Sequence, residues 1–306
     1  MIRVTFLGTA ASRPTVGRNV SALCIQHESD LMLFDCGEGT QRQMMRFGTG
    51  FSVDDIFVTH LHADHFLGVI GLMRTMGLQG RETPTRLWGP TGSRPLLEQA
   101  VQLGVDRVPF VVEIEELRPG DVLKRPAYDI VAYRTQHGIR ALGFALVEHQ
   151  RLGRFHPERA RELGVPEGPL FGKLHRGEAV EVAGRTITPE DVVGPPRRGR
   201  RVVYTGDTRP CRATVDAARD ADLLIHDATF GREETERARA TGHSTAREAA
   251  EVAKRAGARR LILTHLSARY ADDPRALERE ARHVFRQTVI AHDGLQIEVP
   301  FPDAEP

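Results

Sequence analysis

The sequence predicts a layered α/β body in which sheets pack together and helices cover them. Short apolar or β-branched runs broken by Gly, Asn, Ser and Asp open the chain, which is how a sheet with tight turns reads. The second half alternates such runs with stretches of helical period, the pattern of helices laid on a sheet. Polar residues of chemical interest fall just after strand ends, where open α/β architectures place ligands because the loops there are free to vary.

Taken in order, strands are expected at 4–7, 22–26 and 31–34, a helix at 41–46, a strand at 56–59 and an apolar helix near 66–76. Further strands are expected at 86–88, 111–115, 129–133 and 143–147, with a helix around 95–103 among them. The second half reads as strand 201–205, helix 213–219, strand 223–226, helix 245–256, strand 261–264 and helix 274–285. Residues 151–201 differ in character. Of these 51 residues 14 are Gly or Pro, about twice the usual share of roughly 12%, so the segment is expected to lie outside the core.

The 306 residues are 40% apolar, enough for a sizeable core. With 42 Lys plus Arg against 41 Asp plus Glu the chain carries neither a basic coat nor an acidic tail. Any nucleic-acid contact must therefore concentrate charge locally. Segment 151–201 does so, holding 11 Lys plus Arg against 7 Asp plus Glu. Cys24, Cys36 and Cys211 share no CxxC spacing and form no disulfide framework, which points to a reducing compartment, the cytoplasm. With no charged leader and no apolar stretch near the roughly 18 to 20 residues of a membrane span, the protein is expected to be soluble and unprocessed, without a membrane partner.

His60-Leu61-His62-Ala63-Asp64-His65 is the strongest chemical signal, because four metal-competent side chains crowd into six residues directly after an apolar strand. Neutral imidazole and carboxylate are ligands that Zn²⁺ accepts, and alternate residues of an extended turn can address one ion while the next pair turns to another. Three partners stand alone after strands: His137 in RTQHG, Asp207 in YTGDTRP and His265 in LILTHLS. Seven ligands suffice for two metals with one shared carboxylate and an open position for water.

The order HxHxDH, His, Asp, His resembles that of the metallo-β-lactamase superfamily, which implies an αββα sandwich. By that resemblance His60, His62 and His137 hold one zinc, Asp64, His65 and His265 the other, and Asp207 bridges them. Manganese or another divalent ion is an alternative, since ligand type alone does not fix the metal. Four further strings, FLGTAASRP at the start, LFDCGEGTQRQ at 33–43, HDAT at 226–229 and GHST at 242–245, resemble ribonuclease Z. That family cuts the 3′ trailer from precursor tRNA.

Several roles follow from the resemblance. Asp35, closing a strand, would orient the histidine loop through hydrogen bonds to the ligands. His243 heads a helix whose free N–H groups favour phosphate, and it would act as general acid with Asp227 holding it. HDAT stands where most members carry HEAT, and its first residue, His226, reads as a core histidine. Segment 151–201, with GVPEGPLFGKL and VVGPPRRGR, resembles the family's flexible arm, an exosite for the tRNA elbow, built as a Gly-rich hairpin. Lys173, Arg176, Arg197, Arg198 and Arg200 would contact phosphates there. In PTVGRN at 14–19, Arg18 and Asn19 would contact the RNA 3′ end, while Val16 replaces a lysine common in bacterial members.

The implied chemistry is attack on phosphorus by water activated between two metals, Asp64 taking the water's proton and His243 protonating the leaving oxygen. A 3′-hydroxyl remains on the tRNA. The resemblance also implies a homodimer in which one subunit's arm serves the other's active site. Two other functions stay open on sequence alone: hydrolysis of small phosphodiesters or esters on the same fold, and a non-catalytic RNA-binding module.

Overall fold

The computed structural model describes residues 1–302 and divides into two compact units, residues 1–147 with 201–300, and residues 148–200 with 301–302. The strands of the chain are β1 (Ile2–Gly8), β2 (Ala22–His27), β3 (Asp30–Cys36), β4 (Val53–Phe57), β5 (Thr85–Pro90), β6 (Val112–Leu117), β7 (Val122–Lys124), β8 (Tyr128–Arg134) and β9 (Leu142–Glu148). They continue with β10 (Val180–Val182), β11 (Arg185–Ile187), β12 (Arg201–Tyr204), β13 (Leu223–Asp227), β14 (Leu261–Thr264), β15 (Thr288–Ile290) and β16 (Gln296–Glu298).

In the larger unit two seven-stranded sheets form, in the orders β16-β1-β2-β3-β4-β5-β6 and β15-β14-β13-β12-β9-β8-β7. Their facing sides share one core, in which Phe34, Phe57 and Phe144 pack with ring centroids 4.9 to 5.8 Å apart. Each such ring contributes about 1.5–3 kcal/mol on leaving water. The outer face of the first sheet packs Leu33, Ile56 and Leu87 against the helices Gly68–Leu78 and Arg94–Gln102. On the outside of the second, Leu224 and Leu263 meet the helix Ala246–Ala256 through Ala249, Ala250 and Ala253. The result is an αββα sandwich, the predicted layering.

Parallel pairing explains why the site gathers at one rim. Strands β3 to β6 run parallel, as do β12 to β15, so the loops that follow β4, β12 and β14 emerge where the strands of each sheet end together. Most predicted elements match observed ones within a few residues. The strand expected at 56–59 is shifted: β4 ends at Phe57, because Thr59 turns its backbone N–H to the Asp35 carboxylate. Three-residue strands β7, β15 and β16 complete the sheets' edges. No helix among the described residues is long and apolar enough to cross a membrane.

The smaller unit corrects one expectation. In place of a Gly-rich hairpin, it is built mainly of short helices, Pro157–Glu162, Pro169–His175 and Pro189–Val192, with only a short β10–β11 hairpin. It has its own core of Ala160, Val165, Leu174, Val180, Ile187 and Val192. Arg200, expected at the RNA, is 2% exposed and meets Glu148 through Nη2 at 2.6 Å and Nε at 2.9 Å. A guanidinium so committed holds the ends of the segment together and offers no surface to phosphate. Lys173, Arg176 and Arg198 are exposed, whereas Arg197 is half-buried with Nε donating to the Leu152 carbonyl at 3.1 Å.

Candidate metal centre

The histidine motif places its side chains by changing backbone form midway. His60 and His62 leave β4 in extended chain, His62 at φ −71° and ψ 144°, so their alternate side chains fall on one side. At Ala63 the chain enters a helical turn, Ala63–Phe66, which swings Asp64 and His65 toward a second point. Four distant residues close on these two points.

At the first, His60 Nε2 lies 2.9 Å from His62 Nδ1, His137 Nε2 lies 3.2 Å from the same atom, and Asp207 Oδ2 is 3.4 Å from His60 Nε2. At the second, His65 Nε2 and His265 Nε2 approach to 3.3 Å, with Asp64 Oδ2 3.3 Å from His265 Nε2. Asp207 serves both, because its Oδ1 is 3.3 Å from both His65 Nε2 and His265 Nε2. Gly206, at φ +57°, lets the backbone pass Thr59 closely enough to aim Asp207 inward; a Cβ there would meet Thr59 at 2.8 Å.

The outer nitrogens show what the inner ones present. His137 Nδ1 donates to the Gly242 carbonyl at 2.9 Å and His65 Nδ1 to Asp35 Oδ2 at 2.8 Å. Thr59 Oγ1 donates to Asp35 and Thr229 Oγ1 to Asp227, so each hydroxyl accepts from an imidazole, His60 Nδ1 at 3.0 Å and His265 Nδ1 at 2.9 Å. In the neutral ring, each of these four histidines therefore turns a lone pair inward. Lone pairs 3.3 Å apart repel unless a cation lies among them. Asp207 Oδ1 is buried and has no hydrogen-bond partner, which fits the same demand. An N₃O group beside an N₂O₂ group is chemistry that divalent metals accept.

Electrostatics agree. Burial opposes charge on His65, yet Asp207 and Asp35 hold its imidazole well above the ordinary value. Burial favours the neutral carboxyl at Asp207 as well, but His265, His65 and His60 keep it well below the usual carboxylate range. The centre draws positive charge to itself.

His243 stands beside these clusters, its ring centroid 5.1 Å from that of His137 and 5.2 Å from that of His265. Its Nδ1 donates to Asp227 Oδ2 at 2.9 Å, which leaves Nε2 for a reacting group. The shorter aspartate of HDAT thus reaches its histidine. Burial lowers the His243 pKa, but Asp227 more than offsets it and the imidazole is raised to about 9. Thr245 caps the following helix in a reciprocal pair with Glu248, and Arg209 joins Glu248 to the His243 carbonyl.

Comparison with known proteins decides the family. Residues 15–116 match the metallo-beta-lactamase superfamily model and residues 174–266 the model described as a beta-lactamase superfamily domain. The chain is 57% identical to ribonuclease Z of Myxococcus xanthus over 99% of both chains, and 58% identical to that of Gemmatimonas aurantiaca over 97% of this chain and 95% of the other. It belongs to the ribonuclease Z family. Among solved structures, human short-form tRNase Z superposes with a TM-score of 0.72 at 28% identity, covering 98% of this chain and all of that one. As a ribonuclease Z, the chain is a hydrolytic endoribonuclease of the metallo-β-lactamase fold.

Two residues expected at the RNA 3′ end do other work. Arg18 is 8% exposed and donates to Thr9 Oγ1 and the Ala291 carbonyl, both at 2.7 Å, with Asp293 nearby. Asn19 donates its amide to the Glu38 carbonyl at 2.8 Å, and its backbone N–H to Asp293 at 2.6 Å. Both brace the N-terminal loop, and burial leaves the Arg18 guanidinium little surface for substrate. His226 is fully buried, as a core residue should be. Sequence reasoning missed Thr59, Tyr204, Thr208 and Thr229, which saturate Asp35 and Asp227. Thr59, Thr208 and Thr229 adjoin named motif residues, so adjacency was their signal.

Because Asp35 fixes the His65 tautomer and ring, Asp35→Ala should weaken divalent-metal affinity about 10- to 100-fold. Competition of zinc against a chromophoric chelator measures this; unchanged affinity would show that His65 needs no orienting partner.

Proposed function

We propose that the chain removes the 3′ trailer of precursor tRNA using two divalent ions, zinc by ligand type, at the centre described above. The observation that carries this reading is the convergence of two donor groups on the two oxygens of Asp207, with His243 held alongside by Asp227. His60, His62, His137 and Asp207 would hold one ion, and Asp64, His65, His265 and Asp207 the other. Such a pair lowers the pKa of water toward neutrality and screens charge on the phosphate.

The protein's own groups do the rest. Asp64, kept ionised by His265 and His65 against the effect of burial, accepts the attacking water's proton. Ser12 N–H donates to Asp64 Oδ2 at 2.7 Å and holds that carboxylate in place. His243 remains protonated beside Asp227 and delivers its proton to the departing oxygen, which gives a 3′-hydroxyl on the tRNA and a 5′-phosphate on the trailer. Lys173, Arg176 and Arg198 contact tRNA phosphates, and Arg197 does so as far as its bond to Leu152 allows. A two-fold homodimer, the commonest closed assembly, lets one copy's arm serve the other's centre. Three free thiols suit a reducing cytoplasm.

Three outcomes are expected. Asp207→Ala abolishes cleavage of precursor tRNA while filter binding of the RNA persists; residual cleavage at wild-type rate would remove the metal centre from the mechanism. The acid form of His243 is present below its pKa and lost as pH rises through it. Asp227→Asn takes away the anion that raises that pKa, so the alkaline limb of the kcat profile moves to lower pH. An unmoved limb would exclude His243 as the acid. The combined variant Lys173→Ala, Arg176→Ala, Arg198→Ala raises KM for precursor tRNA and spares bis(p-nitrophenyl) phosphate. Mixed with Asp207→Ala chains it recovers about a quarter of wild-type activity by random pairing if arms act across a dimer, and none if they act within one chain.

A further inference from the structure

Asp293 lies in the turn between β15 and β16, outside both donor groups, and no step of the proposed mechanism uses it. Its carboxylate accepts three hydrogen bonds: Thr9 Oγ1 donates to Oδ1 at 2.7 Å, and the Asn19 backbone N–H and Gln43 Nε2 donate to Oδ2 at 2.6 and 2.7 Å. Thr9 opens the loop between β1 and β2 and Asn19 stands near its end, so one side chain closes that loop at its neck. The same neck is laced by the Asn19 carbonyl, which accepts from the N–H groups of Thr9 and Ala10 at 2.9 Å each, and by Arg18, whose charge faces Asp293. Gln43 ties the clamp to β1 through the Leu7 carbonyl at 2.8 Å.

Two paths lead from this neck to the second donor group, Asp64, His65 and His265. Along the first, Leu266 N–H donates to the Thr9 carbonyl at 2.8 Å and Ala11 N–H to the Leu266 carbonyl at 2.9 Å, which fixes the backbone directly after His265. Ser12 then enters the left-handed region at φ 62° and aims its N–H at Asp64 Oδ2, 2.7 Å away. A serine stays in that conformation only where its surroundings over-determine it, and the clamped neck does so. Along the second, the Asn19 amide donates to the Glu38 carbonyl at 2.8 Å, and the turn that carries Glu38 passes so near Asp64 that a Cβ at Gly37 would meet the Asp64 carbonyl oxygen at 2.4 Å. The first donor group is held from elsewhere, His60 by Thr59 and His137 by Gly242.

We infer that Asp293 is a positioning residue for the second donor group: by clamping the loop 9–19 it acts through Ser12 and Leu266 to set Asp64 and His265 for a divalent ion. The inference rests on the two-ion reading above. In Asp293→Asn the shape is kept, but an amide nitrogen replaces one acceptor oxygen and the charge opposite Arg18 is gone.

Competition of zinc against a chromophoric chelator, in the His137→Ala background, tests this. His137→Ala takes a donor from the first group alone, so the tighter of the two zinc equivalents then reports the second group. Asp293→Asn should weaken that tighter equivalent about tenfold, the lower end of what outer partners of a metal centre contribute, and leave the weaker one within about twofold. Thr9→Val removes the hydroxyl from Oδ1 and keeps the carboxylate. It should weaken the same equivalent about threefold, as one lost hydrogen bond does, and it decides the matter if Asp293→Asn does not fold. A residue that merely stabilises the fold would lower the melting temperature and affect both equivalents alike. Equal weakening of both equivalents, or no weakening of the tighter one in either variant, would overturn the inference and leave the two-ion reading intact. A wild-type chain that binds fewer than two zinc ions would sink the two-ion reading itself, and the inference with it.

Discussion

Two buried carboxylates decide which nitrogen of each neighbouring imidazole keeps its proton, and the whole centre depends on that decision. Asp35, at the end of β3, accepts from Thr59 N, Thr59 Oγ1, His65 Nδ1 and Tyr204 Oη. Asp227, at the end of β13, accepts from Thr208 N, Thr229 N, Thr229 Oγ1 and His243 Nδ1. Each sheet thus contributes one saturated anion, and a buried charge persists only when its acceptor sites are filled in this way. The hydroxyls relay the effect outward, since a threonine that donates to the carboxylate must accept from the next histidine. Tyr204 lies in the second sheet and Asp35 in the first, so the same network spans the interface between sheets.

Such a network also tolerates strain. Asp35 and His265 both have backbone in the left-handed region, at φ 56° and 60°, where a branched or bulky side chain costs roughly 1–3 kcal/mol. Each is held by packing and hydrogen bonds on several sides, and the strained turn is what points the side chain into the centre instead of along the sheet. Gly242 answers a related demand: its carbonyl accepts the hydrogen bond from His137 Nδ1, and a Cβ there would come within 3.0 Å of that nitrogen.

The ligands were legible in the sequence because each follows a strand and four crowd into one motif; parallel strands ending together then require them to meet. Tyr204 was not legible, since its bond to Asp35 spans 169 residues and depends on which strands become neighbours across the sandwich. Arginine was the least readable residue. Arg18 and Arg200 look like surface cations in the sequence, and each is buried beside a carboxylate far away along the chain, Asp293 and Glu148. Composition misled in the smaller unit for a similar reason. Its core residues Val165, Leu174, Val180, Ile187 and Val192 are spaced without helical or strand period, so Gly and Pro dominated the pattern while a small core went unseen.

Charge balance joins the proposed metal count to the substrate. Asp35, Asp64, Asp207 and Asp227 bring four negative charges into one buried region, and protonated His243 offsets one of them. Two divalent ions, with His65 neutral as a ligand, would make it one charge positive, equal and opposite to one phosphodiester group. In that proposal the sharing of Asp207 would follow from the same balance, because one carboxylate common to both donor groups would lower the repulsion between two ions without adding a fifth anion that would cancel the attraction for substrate.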